Sequence, residues 1–310
     1  DHATTGFTWV EASSGGASDI GALDDVLMDA TNFTNSLLIQ TNSDTSAPTT
    51  GTLSGANENV GIGRDVFKVL TSGAQNVSMG SYTLDALTTG NNNTIIGHNA
   101  GTRIEDDSEN TYIGAGAGAN SIGGFNVAIG STTMTGSTST LHTGSHNVAL
   151  GRGAMTKVEG DAAGNVAVGR AAINELTTGD YNIALGYNIM YNTTTGSYNI
   201  GLGQNALERN TTESNHIAIG TAAMGGAYNQ TATGAYNLAI GHQAMRYGSQ
   251  ANGNYNIGIG YKALYGSNGN SSAANYNVAI GYETLEANTT GDDNVAVGTQ
   301  ALEANTTGTR

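Results

Sequence analysis

The chain has no cysteine, one proline and only ten basic side chains among 310 residues. Each shortage removes a class of protein. Without cysteine there is no disulfide framework and no thiolate metal centre, a composition compatible with an extracellular setting without requiring it. Ten Lys and Arg against 25 Asp and Glu leave a formal net charge of -15, which opposes a nucleic-acid backbone or an anionic membrane surface as partner. No run of about 18 apolar residues is present to insert into a bilayer as a helix. Charged residues make up 11% of the chain, against roughly 25% in an ordinary globular domain. Leu, Glu, Lys and Arg are scarce while Gly and Asn, both poor helix formers, are plentiful, so long helices are not expected.

What is abundant is repetition. "DDNVAVGTQALEANTTG" (292–308) and "YNIALGYNIMYNTTTGS" (181–197) are variants of one unit, Asn, apolar, small, apolar, Gly, then a tail ending in a Thr-Gly turn. The closing glycines are Gly63, Gly80, Gly97, Gly114, Gly130, Gly151, Gly169, Gly186, Gly203, Gly220, Gly241, Gly260, Gly281 and Gly298. A near-fixed period of this length is the signature of a solenoid. A catalytic domain needs differences, because each residue around a reacting bond has its own task. Repetition points first to a structural role.

Within each unit the alternation of "NVAVG" predicts a short strand. The small residue and Leu, Met or Ile that begin three residues after the glycine, as in Ala301-Leu302, predict a second, shorter strand. Gly90, Gly179, Gly196, Gly234, Gly253 and Gly291 stand where a turn with positive φ is expected. One such unit has too little apolar surface to fold alone, so units must stack. The expected fold is all-β, a narrow parallel β-solenoid or β-roll of about 14 coils of 17–21 residues. At about 4.8 Å per coil the rod is on the order of 65 Å long. Val/Ile columns are expected to fill a thin core and the Asn column to form an amide ladder. The Ala/Gly column between the two apolar positions either lines an oligomer axis or fits a narrow roll.

The "NVAIG" of 126–130 and 277–281, with "NVALG" at Asn147 and "NVAVG" at Asn165 and Asn294, resembles the repeats of trimeric autotransporter adhesin heads. The longer unit is similar to repeat regions in tail fibres of marine bacteriophages. The resemblance covers roughly residues 59–310 and implies a left-handed β-roll, a homo-oligomer with three chains favoured, and attachment as the role. The period is longer than in the adhesin heads and the Ser after Asn is not regular. No stalk or anchor pattern follows the repeats, which favours the phage-type likeness, and the chain reads as a piece of something longer.

Residues 1–58 break the period and are expected to cap the repeat region (59–310) or join it to a preceding module, since an open solenoid end is an unpaired sheet edge. "SLLIQ" (36–40) is a degenerate strand, and "FTWVEA" (7–12) carries the one Trp. Asp19, Asp24, Asp25 and Asp29 lack the spacing of a calcium loop.

Candidate sites lie where copies differ. Tyr181, Tyr198, Tyr236, Tyr255 and Tyr276 all precede the repeat Asn and form an aromatic column, either a stabilising ladder or a set of faces for sugar rings. Phe125 and His146 hold that place earlier, and Tyr187, Tyr261 and Tyr282 follow the repeat glycine. Enlarged turns bring Tyr228, His242, Arg246, Tyr247, Tyr265 and Asn268 to one distal bulge, the expected ligand contact. The carboxylates of "EDDSE" (105–109) crowd one turn without a matching acid on the next coil, and His142 and His146 lack a third ligand, so neither catalysis nor a metal is expected. The expected function is a structural fibre or adhesin segment on a virion or another extracellular surface. It would bind a host glycan or protein, or other fibre subunits, without cofactor, nucleic acid or membrane insertion. A polysaccharide-cleaving tailspike and a self-assembling filament or scaffold are the alternatives.

Overall fold

A computed structural model describes residues 26–41, 50–226, 234–247, 253–266 and 274–309. Each "N-x-A-x-G" segment forms a three-residue strand, and fourteen of these, from Val60–Ile62 to Val295–Val297, stack in parallel and in strict chain order. Register is one to one: Ile183 pairs with Ile200, Ala184 with Gly201 and Leu185 with Leu202. Ahead of them β1 (Val26–Ala30) and β2 (Phe33–Ile39) form an antiparallel hairpin. β2 contains the degenerate strand and pairs in parallel with Val60–Ile62. The result is an all-β parallel solenoid with 15 parallel strands. "FTWVEA" and Asp19, Asp24 and Asp25 lie outside the described residues.

The two faces of the sheet are reversed from the sequence expectation. The middle residues, Ala128, Ala149, Ala167, Ala184, Ala218, Ala239 and Ala279, are fully buried, while the flanking aliphatics face out, Ile183 at 37% and Leu185 at 40% exposure. The Ala column therefore lines the inside of each coil and cannot be an oligomer axis. The reason is interior volume. In most coils the fourth residue after the repeat glycine points inward from the opposite arm, as Phe67, Leu84, Met155, Ile173, Met190, Leu207 and Leu264 do, all buried. Those side chains fill the roll and leave room only for a methyl group from the sheet.

Two coils invert this arrangement. Ile95 and Tyr112 replace the inward Ala, and the facing fourth positions are Gly101 and Gly118. A Cβ on Gly118 would collide with the ring carbons of Tyr112, while Gly61 conversely lies beneath Phe67, whose ring would be 2.8 Å from an added Cβ. Volume is conserved across the coil, so large and small exchange places.

The second arm is not a strand. Its residues two and four after the repeat glycine take left-handed φ, for example Gln243 at 58° and Met245 at 51°. This curls the arm tightly enough to reverse the chain within a narrow coil. For residues with a side chain that conformation costs about 1–2 kcal/mol each. Alternating bonds to the two neighbouring coils offset it: Gln243 N–H donates to Thr221 O at 2.9 Å and Met245 N–H to Ala263 O at 3.0 Å.

Two glycine columns have different physical origins. The repeat glycines have φ between 117° and 149°, and a Cβ on Gly63 would strike the backbone of Gly80 on the next coil. The turn glycines expected to have positive φ do not: Gly90, Gly179, Gly196, Gly253 and Gly291 are outside the left-handed region. Their missing side chain is required instead by close stacking, since a Cβ on Gly90 would meet Asp107 O and one on Gly253 would meet Ala274 O. The left-handed residue comes two positions later, immediately before the repeat Asn.

The asparagine ladder is present and buried. Asn182 donates its backbone N–H and its Nδ2 to Asn165 Oδ1 at 2.9 and 3.0 Å, and its second Nδ2 hydrogen to Gly196 O at 2.8 Å. A second ladder, not foreseen, runs two residues upstream: Ala163 N–H donates to Asp180 Oδ1, Asp180 N–H to Ser197 Oγ, and Ser197 N–H to Ser214 Oγ.

The compensation across the roll is testable. Gly118→Leu is expected to destabilise by about 1–3 kcal/mol through overpacking against Tyr112, and Tyr112→Ala to cost about 3–5 kcal/mol through the cavity it leaves. The double variant is expected to melt well above the sum of the two losses, a coupling that a thermal double-mutant cycle measures directly.

Candidate functional site

The residue before each repeat Asn occupies the left-handed region throughout, from Glu58 at 60° to Asp293 at 58°, with Tyr181, Tyr198, Tyr236, Tyr255 and Tyr276 between 54° and 59°. That conformation throws the side chain outward at the margin of the sheet. Because coils repeat at one spacing, the rings stack: Phe125 on His146 at 4.9 Å, Tyr181 on Tyr198 at 5.3 Å, and Tyr236 on Tyr255 on Tyr276 at 5.1 and 5.3 Å. Ring planes in the last stack are within 5° of parallel. The geometry is that of a ladder. Within each stack the facing sides of the rings cover one another.

A second column follows the repeat glycines on the opposite margin. His242, Tyr261 and Tyr282 stack at 5.6 and 5.1 Å, and Arg170 lies over Tyr187 with Nη1 donating to its hydroxyl at 3.3 Å. The exposed Val/Ile/Leu stripe runs between these two columns.

Of the expected distal bulge, Tyr228 and Asn268 lie outside the described residues. The other four do come together. Lys262 bridges Tyr261 and Tyr265 with its ammonium 5.5 and 4.9 Å from the two ring centres. Tyr247 meets Tyr265 edge to face at 4.8 Å, Arg246 lies over Tyr247 at 5.1 Å, and His242 joins through Tyr261. Burial pushes the Tyr265 hydroxyl up to about 12, with the bond to Tyr247 adding to the effect. The sequence reading missed Lys262, Glu283 and Glu286. Their signal was column position, because residues two and five after the glycine of neighbouring coils face one another. Lys262 Nζ reaches Glu286 at 3.1 Å and Glu283 at 3.9 Å. The carboxylates of Glu283, Glu286 and Glu303 approach within 4.8 Å of one another. Lys262 already provides cationic charge there, and nothing else marks the group as a metal centre.

The remaining candidates resolve into structural parts. His142 and His146 diverge: His146 stacks outside on Phe125, whereas His142 is buried. Its Nδ1 pairs with Ser121 Oγ at 2.9 Å, Ser121 accepts from Tyr112 Oη at 3.0 Å, and His142 Nε2 is 3.3 Å from Ala162 O. Ser121 beside His142 has the contact of a nucleophile and base, but both are fully buried, so the pair serves the core. Within "EDDSE", burial and the neighbouring Asp106 push Asp107 up to about 6.

The ladder has one foreign rung. His216 stands in an Asn position, donating its N–H to Asn199 Oδ1 at 3.0 Å and accepting Asn237 N–H on Nδ1 at 3.3 Å. That acceptor exists only in the neutral ring. Burial holds both His216 and His142 down at about 4.

Comparison with known proteins gives no match: no protein-family profile, curated protein or solved structure is similar to the chain at the significance required.

The histidines set a pH dependence. A base held below its unfolded value of about 6.5 binds fewer protons when folded, so the folded state is fully favoured above pH 6.5 and loses stability as pH falls toward 4. Each buried ring is expected to account for up to about 3 kcal/mol over that interval. Asp107 acts oppositely, its contribution being lost as pH rises through about 6. His216→Asn, which restores the amide rung, is expected to melt higher than the parent at pH 5 and to flatten the acid limb of a melting-temperature series.

Proposed function

We propose that the chain is a structural and adhesive segment of a fibre, exposed on a virion or in another extracellular setting, whose copies associate side by side through the outer face of the sheet. One observation carries this reading: the two aliphatic columns that flank the buried Ala column point outward in coil after coil, as Ile183, Leu185, Ile217, Ile219 and Ile280 illustrate. Two columns along a rod on the order of 65 Å make a stripe of roughly 650 Å². Monomeric proteins rarely expose so large a contiguous apolar surface, and a standard interface takes about 800 Å² per partner. Tyrosines along both margins add the ring-rich composition that interfaces favour.

The occupant that fits this stripe is a second copy of the same chain. Its period is set by the coil spacing, and only another solenoid offers apolar side chains at the same interval over the same length. The likeness to adhesin heads supports three chains around a common axis, with the Val/Ile stripes inside. Host glycans, host proteins or other fibre subunits would then be met by the edges of the ring columns.

Light scattering with small-angle X-ray scattering on residues 1–310 is expected to return a three-chain mass and an elongated particle. Ile183→Asp with Leu185→Asp is expected to lower the mass toward that of one chain with an unchanged circular dichroism spectrum, since both side chains are half exposed within a single chain. Ala184→Asp, which buries a charge in the roll, is expected to unfold the neighbouring coils instead. A parent protein of one-chain mass at the same concentrations would overturn the association.

A further inference from the structure

No disulfide can join one coil to the next, because the chain has no cysteine. With 14 tyrosines against one tryptophan, tyrosine is the side chain present in number that bonds to its own kind on oxidation. Tyr236, Tyr255 and Tyr276 stand on three successive coils, their ring centres 5.1 and 5.3 Å apart and their planes within 5° of parallel. Their backbones are tied to the coil pitch, Tyr255 N–H donating to Ala235 O at 3.2 Å and Tyr276 N–H to Asn254 O at 3.1 Å. Each ring is between 49% and 56% exposed, so an oxidant reaches it and it is free to turn about its Cβ–Cγ bond. A quarter-turn of two neighbouring rings takes them from face to face to edge to edge. The coil spacing of about 4.8 Å is then nearly filled by two half-rings and one carbon–carbon bond, with Cε facing Cε.

The other tyrosines are less well placed. Tyr247 and Tyr265 meet edge to face at 86°, with Arg246 over the first ring and Lys262 over the second. Lys262 also lies over Tyr261, which stacks on Tyr282, and Arg170 lies over Tyr187. A cation over a ring opposes the loss of an electron from it. Among the described residues no cation lies over Tyr236, Tyr255 or Tyr276. Tyr181 on Tyr198 is a single pair tilted by 19°, whereas Tyr255 has a nearly parallel partner on either side.

We propose that the stack of Tyr236, Tyr255 and Tyr276 is an oxidative modification site, at which a peroxidase-type oxidant couples Tyr255 to a neighbouring ring as dityrosine. Hydrogen peroxide, acting through the haem of the peroxidase, takes one electron and the phenolic proton from each of two tyrosines and is reduced to two waters. The two phenoxyl radicals join through their Cε atoms. Each of those carbons then gives up its hydrogen as a proton and each oxygen regains one, which restores two phenols joined by one carbon–carbon bond. That bond closes a loop of about 20 residues and restricts the unfolded chain as a disulfide would. The three tyrosines each end an enlarged turn, so the staple falls where the connections between coils are longest. The site goes beyond the fibre reading and is independent of association, because all three rings belong to one chain.

Treating the dilute 310-residue protein with a haem peroxidase and hydrogen peroxide, followed by tryptic mass spectrometry, tests it. Cleavage after Arg209, Arg246 and Lys262 puts the three tyrosines on separate peptides, 210–246, 247–262 and 263–310, so each link appears as a joined pair short of two hydrogen atoms. Links through Tyr255 to Tyr236 or Tyr276 are expected about tenfold more often than a link between Tyr247 and Tyr265. The linked chain is expected to run at one-chain mass on a denaturing gel and to melt about 5 °C or more above the untreated protein. Tyr255→Phe keeps a ring in the stack and is expected to melt with the parent before oxidation, while losing both links and the rise on treatment. Absence of links through Tyr255, or a dityrosine yield undiminished in Tyr255→Phe, would overturn the site. So would dityrosine confined to multimers on the gel, which would assign the coupling to contacts between chains. Light scattering before oxidation reads the association separately: a three-chain particle without the link removes the staple alone, and a one-chain particle that forms it removes the association alone.

Discussion

Everything in this molecule depends on the close stacking of one coil on the next. Backbone approaches backbone along the glycine columns so tightly that a Cβ on Gly63 or Gly90 would strike the following coil. Between those columns run buried amide ladders in which each Asn side chain bonds the coil behind it through its Oδ1 partner and the turn ahead of it through Nδ2. A buried amide without partners costs about 1–3 kcal/mol, so any slip of register between coils is penalised at every rung. This constraint turns a sequence period into a rod of fixed pitch. It also lets left-handed residues persist along a whole arm.

The same pitch explains the outside of the molecule. Side chains of one column are brought into contact because their backbones are held one coil apart, and flat rings at that spacing stack. The tyrosines on the margins are therefore first a consequence of the ladder, with their faces turned toward each other. The distal cluster around Lys262 differs in kind: its cations already lie on its rings and its carboxylates already hold its ammonium. Its polar groups largely satisfy each other.

The burial pattern of the sheet carries the functional argument. A roll with its aliphatics inside would present a polar wall and no reason to associate. Here the interior is filled from the opposite arm by Leu, Met and Ile, the sheet contributes Ala, and the larger aliphatics are left on the surface. That exposed stripe is the observation on which the proposed association rests.

Much of this was legible in the sequence. The period predicts parallel stacking, the alternation in "NVAVG" predicts the strands, and the recurring place of Asn within the repeat, broken at His216, predicts a ladder, because like residues at a fixed period must lie in columns. The faces were not legible. Period-2 alternation says that Val295 and Val297 share a side opposite Ala296 but not which side is inward, and that was decided by the volume the second arm places in the roll. Nor did the sequence distinguish glycines with positive φ from glycines needed for clearance alone: the next coil crowds both Gly241 and Gly253, and only φ separates them. The short arm read as a strand from Ala-Leu and proved to be a curl of alternating left-handed residues, a case where chain reversal in a narrow coil overrode local preference. The sequence alone determined that the chain forms a repetitive rod with columns, because that requires only periodicity. Which column is core and which is exposed was decided by the tertiary structure, because that depends on what stands across the coil.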